Sequence, residues 1–529
     1  MLTAKSYRKR LHGWLSYAFA SEVFVIVSLT LFLPICLEQF ARDNGYLLPD
    51  KTIPCTGVPG EPQDGRCVVK IGWVWIDTAS FSLYTYSASV ALQALTVISM
   101  GGIADHPPHR KVLLLTFAYL GATAATLFLL LTSSSPVWWL ASGLACIANV
   151  GFGASIVAMN SYLPSLAKDA PEVVAVMDEL QDAPGDSSSH ESENPDAPLI
   201  APTAERTALQ ARYENELSRA TSRISSLGVA IGYGAGICLL ALALIPVIKL
   251  KGTTFSLRLA IGSSGIWWAL FTIPAALWLP GASSIDEPSP KDWSFRHEIV
   301  AAWKRLGGML HPREIAKLRN TFKYLAAWFL LSDGFTTITS TAVLFGKTTL
   351  HMQPSALIVI GVLTPLAGIG GSLMWPFLQR SFGWSNLRVL TTLVMLASVV
   401  PAYGCLGFLP LFHGEDKVRF GGLTSPEEMF VLALYFGSIY GAFQSFARAF
   451  YAELLPPGEE ARWYGLFSIT DKSSSFIGPL IVGLIADTTG NIRYSFFFLV
   501  FMVWAAVPVL LSVNVERGRK DARDYRYRA

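Results

Sequence analysis

Charge is what this sequence has least of. Only 15% of its 529 residues are Asp, Glu, Lys or Arg, against 52% hydrophobic ones, and the mean hydropathy is +0.42. That balance excludes the three or four soluble domains, roughly, that a chain of this length would otherwise hold. Histidine is scarce too. The eight histidines show no metal-ligand spacing, and no Gly-rich phosphate loop ending in Lys-Ser or Lys-Thr occurs. A metal centre, a bound cofactor and an ATP-driven pump are therefore not expected, and with no catalytic constellation in view the chain does not read as an enzyme. A net charge of +3 gives no reason to expect a nucleic-acid partner. Of six cysteines, Cys36, Cys146, Cys238 and Cys405 fall in apolar runs and read as small hydrophobic residues. Cys55 and Cys67 share one polar loop, where a disulfide and two free thiols both remain open.

What the chain has is apolar length. Stretches free of charged residues run over Thr78–Ala104, Val112–Ala167, Ile224–Ile248, Leu259–Ile285, Thr348–Gln379, Val389–Gly414 and Tyr494–Val515. Each exceeds the roughly 18 residues that mark a membrane span. The second holds two spans, divided at "SSSP" (Ser133–Pro136). Four more spans carry charge: about Trp14–Leu37 with Glu22, Tyr324–Phe345 with Asp333, Met429–Leu455 with Arg448, and Trp463–Ile485 with Asp471 and Lys472. The fold class is thus an all-α membrane protein of twelve transmembrane helices, with helix 1 an uncleaved anchor. With both termini cytosolic, 28 of the 41 Lys and Arg fall on the cytosolic side, 11 on the far side and 2 within spans, the asymmetry that sets orientation.

The expected organisation follows. Residues 1–167 carry helices 1–4, and residues 168–223 form a cytosolic loop. Its "DAPGDSSSHESENPDAPLIAP" is too polar to bury a core and is expected to be partly disordered. Its C-terminal part regains helical spacing at Leu209, Tyr213 and Leu217. Residues 224–282 carry helices 5 and 6. Residues 283–322 form a linker in which Phe295, Ile299, Trp303 and Leu306 make an apolar stripe beside Arg296, Lys304 and Arg305, the pattern of a helix on the membrane surface. Residues 323–513 carry helices 7–12, and residues 514–529 are a basic cytosolic tail read as a membrane-surface feature.

The spans repeat as two sixes. "SEVF" (Ser21–Phe24) matches "SDGF" (Ser332–Phe335), "YLPS" (Tyr162–Ser165) matches "LLPP" (Leu454–Pro457), and "TSRISSL" (Thr221–Leu227) matches "TDKSSSF" (Thr470–Phe476). They occur in the same order at equivalent spans, as a duplicated transporter half requires. The segment "GGIADHPPHRK" resembles the loop signature of the major facilitator superfamily, with Gly101, Ile103, Ala104, Asp105, Arg110 and Lys111 in place and Pro108 where the second glycine belongs. Over nearly the whole chain the sequence also resembles the autophagy-related vacuolar amino-acid effluxers of fungi. The resemblance is carried by "GWLSYAFASEVF", "NSYLPSL", "GVAIGYGAG", "GAFQSFARAFYAELLPPG" and "WYGLFSITDKSSSFIGP".

That resemblance implies two pseudo-symmetric six-helix halves in the vacuole membrane, around a cavity lined by helices 1, 4, 7 and 10. It also implies export of amino acids, neutral or aliphatic ones such as leucine, to the cytosol when autophagic breakdown products are recycled, by a monomeric protein. The residues themselves add a chemical reading. At a helical rise of about 1.5 Å per residue, Glu22, Asp333, Arg448 and Asp471 lie near ~10 to 13 Å from the cytosolic boundary. Lys472 adjoins them, and Arg223 is matched to it by the repeat. Lone charges at such depth are costly, so they should face each other or water. A zwitterion needs an anion for its ammonium and a fork-shaped cation for its carboxylate, which Glu22, Asp333 and Arg448 would supply. Asn160 and Gln444 would add hydrogen bonds, and Tyr17, Trp328, Tyr440 and Phe443 an aromatic wall. A carboxylate in a low-dielectric cavity can also exchange protons, the role expected of Glu22. Asp105, Arg110, Arg223, Asp471 and Lys472 make up the expected gating cluster. Structural salt bridges, a carrier of another small solute, and a scaffold acting through its cytosolic loop are the competing readings.

Overall fold

The computed structural model describes residues 4–47, 51–55, 67–105, 107–182, 201–250, 253–281, 295–350, 352, 354–409, 421–457, 459–475, 477–489 and 491–525. The first pass is one long helix in three segments: α1 (Ala4–Val23), a π-helical stretch (Phe24–Phe32) and α2 (Leu33–Asp43). In the widened stretch the Thr30 hydroxyl donates to the Val25 carbonyl, and the Ser28 and Ser264 hydroxyls meet at 2.6 Å. Hydropathy does not foretell this widening, which starts two residues past Glu22; such stretches are frequent at functional sites.

The loop that follows holds an antiparallel sheet of β1 (Tyr46–Leu47), β2 (Cys67–Ile71) and β3 (Val74–Asp77), an addition to the all-helical expectation. Its sequence, "CVVKIGWVWID", is rich in Val, Ile and Trp, which favour strands, and Gly72 takes the turn at φ +58°. A disulfide joins Cys55 to Cys67.

The remaining passes of the first half are α3 (Thr78–Asp105), α4 (Pro107–Leu127), α5 (Leu140–Asn160), α8 (Ala201–Lys249) and α9 (Thr254–Trp278); the short α6 (Leu163–Lys168) and α7 (Pro171–Asp182) lie between α5 and α8. The helix announced by Leu209, Tyr213 and Leu217 is continuous with the fifth pass, so α8 starts well before residue 224. The acidic run at residues 183–200 lies outside the described residues. The linker supplies α10 (Phe295–Met309) and α11 (Pro312–Lys317). The second half comprises α12 (Arg319–Thr348), α13 (Pro354–Phe382), α14 (Asn386–Leu406), α15 (Pro426–Glu453), a pass broken into α16 (Glu460–Ser474) and α17 (Ile477–Thr489), and α18 (Ser495–Leu511), with α19 (Val515–Asp524) in the tail. Among the described residues nine helical stretches are long and apolar enough by themselves to cross a membrane. α3, α4 and the broken α16–α17, which carries Asp471 and Lys472, complete the twelve passes.

Two elements differ from their expected place. α10 packs along α3 rather than only on a membrane surface: Trp303 donates through Nε1 to the Ser99 hydroxyl at 3.0 Å, and Ala302 is buried. The side chains of Phe295, Arg296, Arg305 and Leu306 lie outside the described residues. α19 likewise folds back on the protein, with Ala522 buried and Gly518 seated against Leu454 and Asn320. Both helices find apolar surface on the bundle, which removes it from water.

Candidate functional site

The glycines of "GVAIGYGAG" cut a groove along α8. A β-carbon at Gly228 would stand 2.6 Å from the Trp14 ring, one at Gly232 would stand 2.5 Å from Glu22 Cγ, and one at Gly236 would stand 2.3 Å from Ile26 Cδ1. The first pass thus lays Trp14, Glu22 and Ile26 into a stripe that only glycines leave open. Glu22 is half-buried and has no hydrogen bond or ion pair with another described residue. Its carboxylate lies within electrostatic reach of Arg448, Tyr17, Tyr233 and Tyr440. Tyr17 is fully buried beside Trp268 and Ser155.

Arg448, on α15, reaches from the second half into the first. Its Nε donates to the Ser225 hydroxyl at 3.0 Å, Nη2 to the Ser225 carbonyl at 3.3 Å, and Nη1 to Asn160 Oδ1 at 3.1 Å. Its guanidinium carbon lies 5.8 Å from the centre of the Trp14 ring, close enough for a cation–π contact. Among the described residues no carboxylate lies within ion-pairing distance of it. Every partner of this guanidinium is neutral, so its charge is solvated by dipoles and left without a counter-ion in contact. One turn before Arg448 on the same helix, Gln444 donates to the Tyr440 hydroxyl at 2.9 Å.

The expected single layer of three acids and three bases does not form. Asp333 is buried and turned to the broken pass: the Gly478 backbone N–H donates to its two oxygens at 3.1 and 2.9 Å, and the Thr337 hydroxyl lies at 3.4 Å. A carboxylate is drawn there because the first N–H groups of α17 lack partners within the helix. Asp471 accepts a hydrogen bond from Ser332 and pairs with Lys472 at 3.0 Å, so neighbouring residues of α12 hold both sides of the break. Tyr440 lies within electrostatic reach of Asp471, Lys472 and Glu22, which places that pair near the Glu22–Arg448 region. Arg223, midway along α8, is more than half exposed and pairs with Glu172 of α7 rather than with a buried acid. Arg110 meets Glu460 of α16 at 3.6 Å and donates to the Ser161 carbonyl at 3.1 Å. Asp105 ends α3, and its side chain lies outside the described residues. Trp328 and Phe443 pack inside the second half, with Trp328 4.4 Å from Phe467 and Phe443 3.8 Å from Phe335, so of the expected wall residues in that half only Tyr440 stays partly open.

The face that carries both chain termini is tied shut across the halves. Ser218, Ser222 and Ser225 stand on one side of α8 at helical spacing. They donate to Glu453 at 2.7 Å, Gln379 at 2.8 Å and the Ser445 carbonyl at 3.0 Å. Arg448 is the innermost rung of this ladder. The serines were visible in "SRATSRISSL" at positions i, i+4 and i+7, but a polar stripe next to a loop reads as a solvated face until its partners are known.

Comparison with known proteins agrees with this architecture. The profile of the family described as "Vacuole effluxer Atg22 like" matches residues 6–523. The Autophagy-related protein 22 of Cryptococcus neoformans is 42% identical over 564 aligned residues, covering 98% of this chain and 96% of that protein. The Autophagy-related protein 22-1 of Penicillium rubens is 40% identical over 554, covering 98% and 92%. Among solved structures, the Major Facilitator Superfamily transporter FucP in the outward conformation superposes with a TM-score of 0.57 at 14% identity, covering 96% of this chain and 99% of that one. The human organic anion transporter MFSD10 gives 0.58 at 12% identity, covering 95% and 99%. These distant structures establish the fold alone. The chain is a membrane transporter of the major facilitator fold, not an enzyme, and it belongs to the vacuole effluxer Atg22-like family.

Proposed function

We propose that this transporter carries amino acids from the vacuole lumen to the cytosol together with protons, by alternating access, as a monomer with both termini cytosolic. The observation that carries the reading is the Arg448 guanidinium, held by Asn160 and Ser225 with no carboxylate in contact. A carboxylate offers two acceptors in one plane and would match this fork better than an amide oxygen and a hydroxyl. Glu22, within electrostatic reach and without a hydrogen-bonded partner among the described residues, is the acceptor for the ammonium group.

The same geometry supplies a coupling step. Arg448 forms part of the closure of the terminal face, so a substrate carboxylate that takes over the guanidinium also removes its bonds to Asn160 and Ser225. Binding thereby weakens the inner rung, and the halves can part on the cytosolic side. A ligand shifts such an equilibrium only through contacts that differ between states, and this exchange of partners is one. Glu22 would carry the proton: taken up from the acidic lumen and lost to the cytosol with the substrate, it would supply about 1.4 kcal/mol for each pH unit, while the other oxygen of the carboxyl still accepts from the ammonium. Asp333 takes a supporting place in this scheme, because its oxygens are occupied by Gly478.

Reconstitution in sealed vesicles tests the reading, with labelled amino acids inside and a pH step across the membrane. Efflux of leucine that follows the pH step and is competed by other neutral amino acids is the expected result. Efflux insensitive to free carboxylate or ammonium groups on the competitor would instead indicate another small solute, and no flux with any solute would indicate a scaffold.

A further inference from the structure

The tail helix α19 is bound to one half and grips the other. It is anchored to the second half: the Asn514 backbone N–H donates to Asn320 Oδ1 at 3.0 Å, Gly518 rests on Leu454, and the Tyr525 hydroxyl donates to Glu314 of the linker at 3.3 Å. From that anchorage Arg519 donates through Nε and Nη2 to Glu453 at the end of α15, and through Nη1 to Glu214 of α8 at 3.3 Å. Arg523 adds a second bond to Glu214 at 2.8 Å. Burial opposes the charge of Arg519, but Glu453 and Glu214 outweigh it and raise its pKa above the ordinary arginine value.

Glu453 is the node of this network. It accepts from Ser218 of the first half, from Asn386 of α14 and from Arg519. Parting the halves on this face leaves Glu453 and Arg519 together on the second half and strips both of them from α8. What breaks is then the set Ser218–Glu453, Arg519–Glu214 and Arg523–Glu214. Three of the groups involved, Arg519, Glu214 and Glu453, are largely withdrawn from water, so the ion pairs resist salt more than surface pairs do, whereas Arg523 is half exposed.

We propose that α19 is a clasp on the cytosolic gate: carried by the second half, it closes on Glu214 of the first and must let go each time the transporter opens to the cytosol. The clasp acts outside the substrate site, so it holds whatever the solute is. It also makes Glu214 the only carboxylate that, among the described residues, ties the tail to the opposite half.

Accessibility of a buried thiol in full-length protein, reconstituted in liposomes, tests it. Ser222→Cys, in a chain lacking other free thiols, reports opening of the terminal face to an impermeant maleimide. Ser28→Cys, buried between the first pass and α9, reports general loosening. Glu214→Gln keeps the shape and the contact with Gln210 but removes the charge. It should speed labelling at Ser222→Cys about fivefold or more and leave Ser28→Cys unchanged. Arg519→Gln should do the same, and the double substitution should add nothing to the faster single one. An unchanged rate in Glu214→Gln overturns the proposal, and so does a rise shared equally by both reporters, which would mean a destabilised fold rather than an opened gate.

Discussion

Glu22 and Gly232 are interlocked: the side chain of one occupies the space a methyl group on the other would need, with 2.5 Å between Glu22 Cγ and the missing β-carbon. Gly232→Ala therefore forces either the first pass away from α8 or the carboxylate out of place. Such overpacking costs about 1–3 kcal/mol. The expected outcome is a lower melting temperature in detergent together with loss of most transport. Glu22→Ala in the same chain should recover much of the melting temperature, because it removes the Cγ that stands nearest the added methyl. Parent-like melting and flux in Gly232→Ala would show that the two residues do not meet.

The two acids matched by the internal repeat should part company under mutation. Glu22→Gln removes a titrating group that has no hydrogen-bonded partner, so substrate exchange should persist while pH-driven net efflux falls at least about tenfold. Asp333→Asn keeps one oxygen for the Gly478 N–H, and its flux should retain the parent's pH dependence at a reduced melting temperature. Normal pH-driven efflux from a well-folded Glu22→Gln protein would make that carboxylate structural.

Arg448→Lys retains the charge but gives up the planar fork and cannot reach Ser225 and Asn160 in the same way. Apparent affinity should weaken about tenfold, the loss of one charge-assisted hydrogen bond, with the protein still folded. Ser225→Ala should act in the opposite sense, because it frees the guanidinium from a competitor of the substrate carboxylate. Concentration series of efflux separate the two, and a Lys variant with parent affinity would reduce Arg448 to a general positive charge.

Orientation is open to direct measurement. Single cysteines placed in the loop after α2 and in the segment between α5 and α8 should react with impermeant reagents from opposite faces of intact vacuoles, with the second group cytosolic. Labelling from one face only would contradict the arrangement of passes.

The passes were legible because eight are charge-free apolar runs and the other four are apolar runs broken by one or two charges, and Glu22, Arg448 and Asn160 stood out because a charge or an amide in such a run demands a reason. Their partners did not stand out. Ser225, Gly232 and Gly478 are unremarkable by type and matter only through what faces them across the bundle, a relation between helices distant in sequence. Asp333 shows the limit most clearly. The repeat matches it to Glu22, yet the eleventh pass breaks after Ser474 while the counterpart the repeat assigns it, α8, runs on unbroken, so the two acids meet different neighbours. Arg223 and Lys472 diverge for the same reason. The serine stripe of α8 and the arginines of the tail looked like solvent-facing polarity, since nothing local marks a polar face as an interface.

The bridge between Cys55 and Cys67 closes the loop after α2 into a covalent ring. A cut anywhere in the chain between the two cysteines would leave the two ends covalently joined. A nicked molecule would keep β1 and β2 tethered, run as one species on a non-reducing gel and as two after reduction, and remain whole as a transporter.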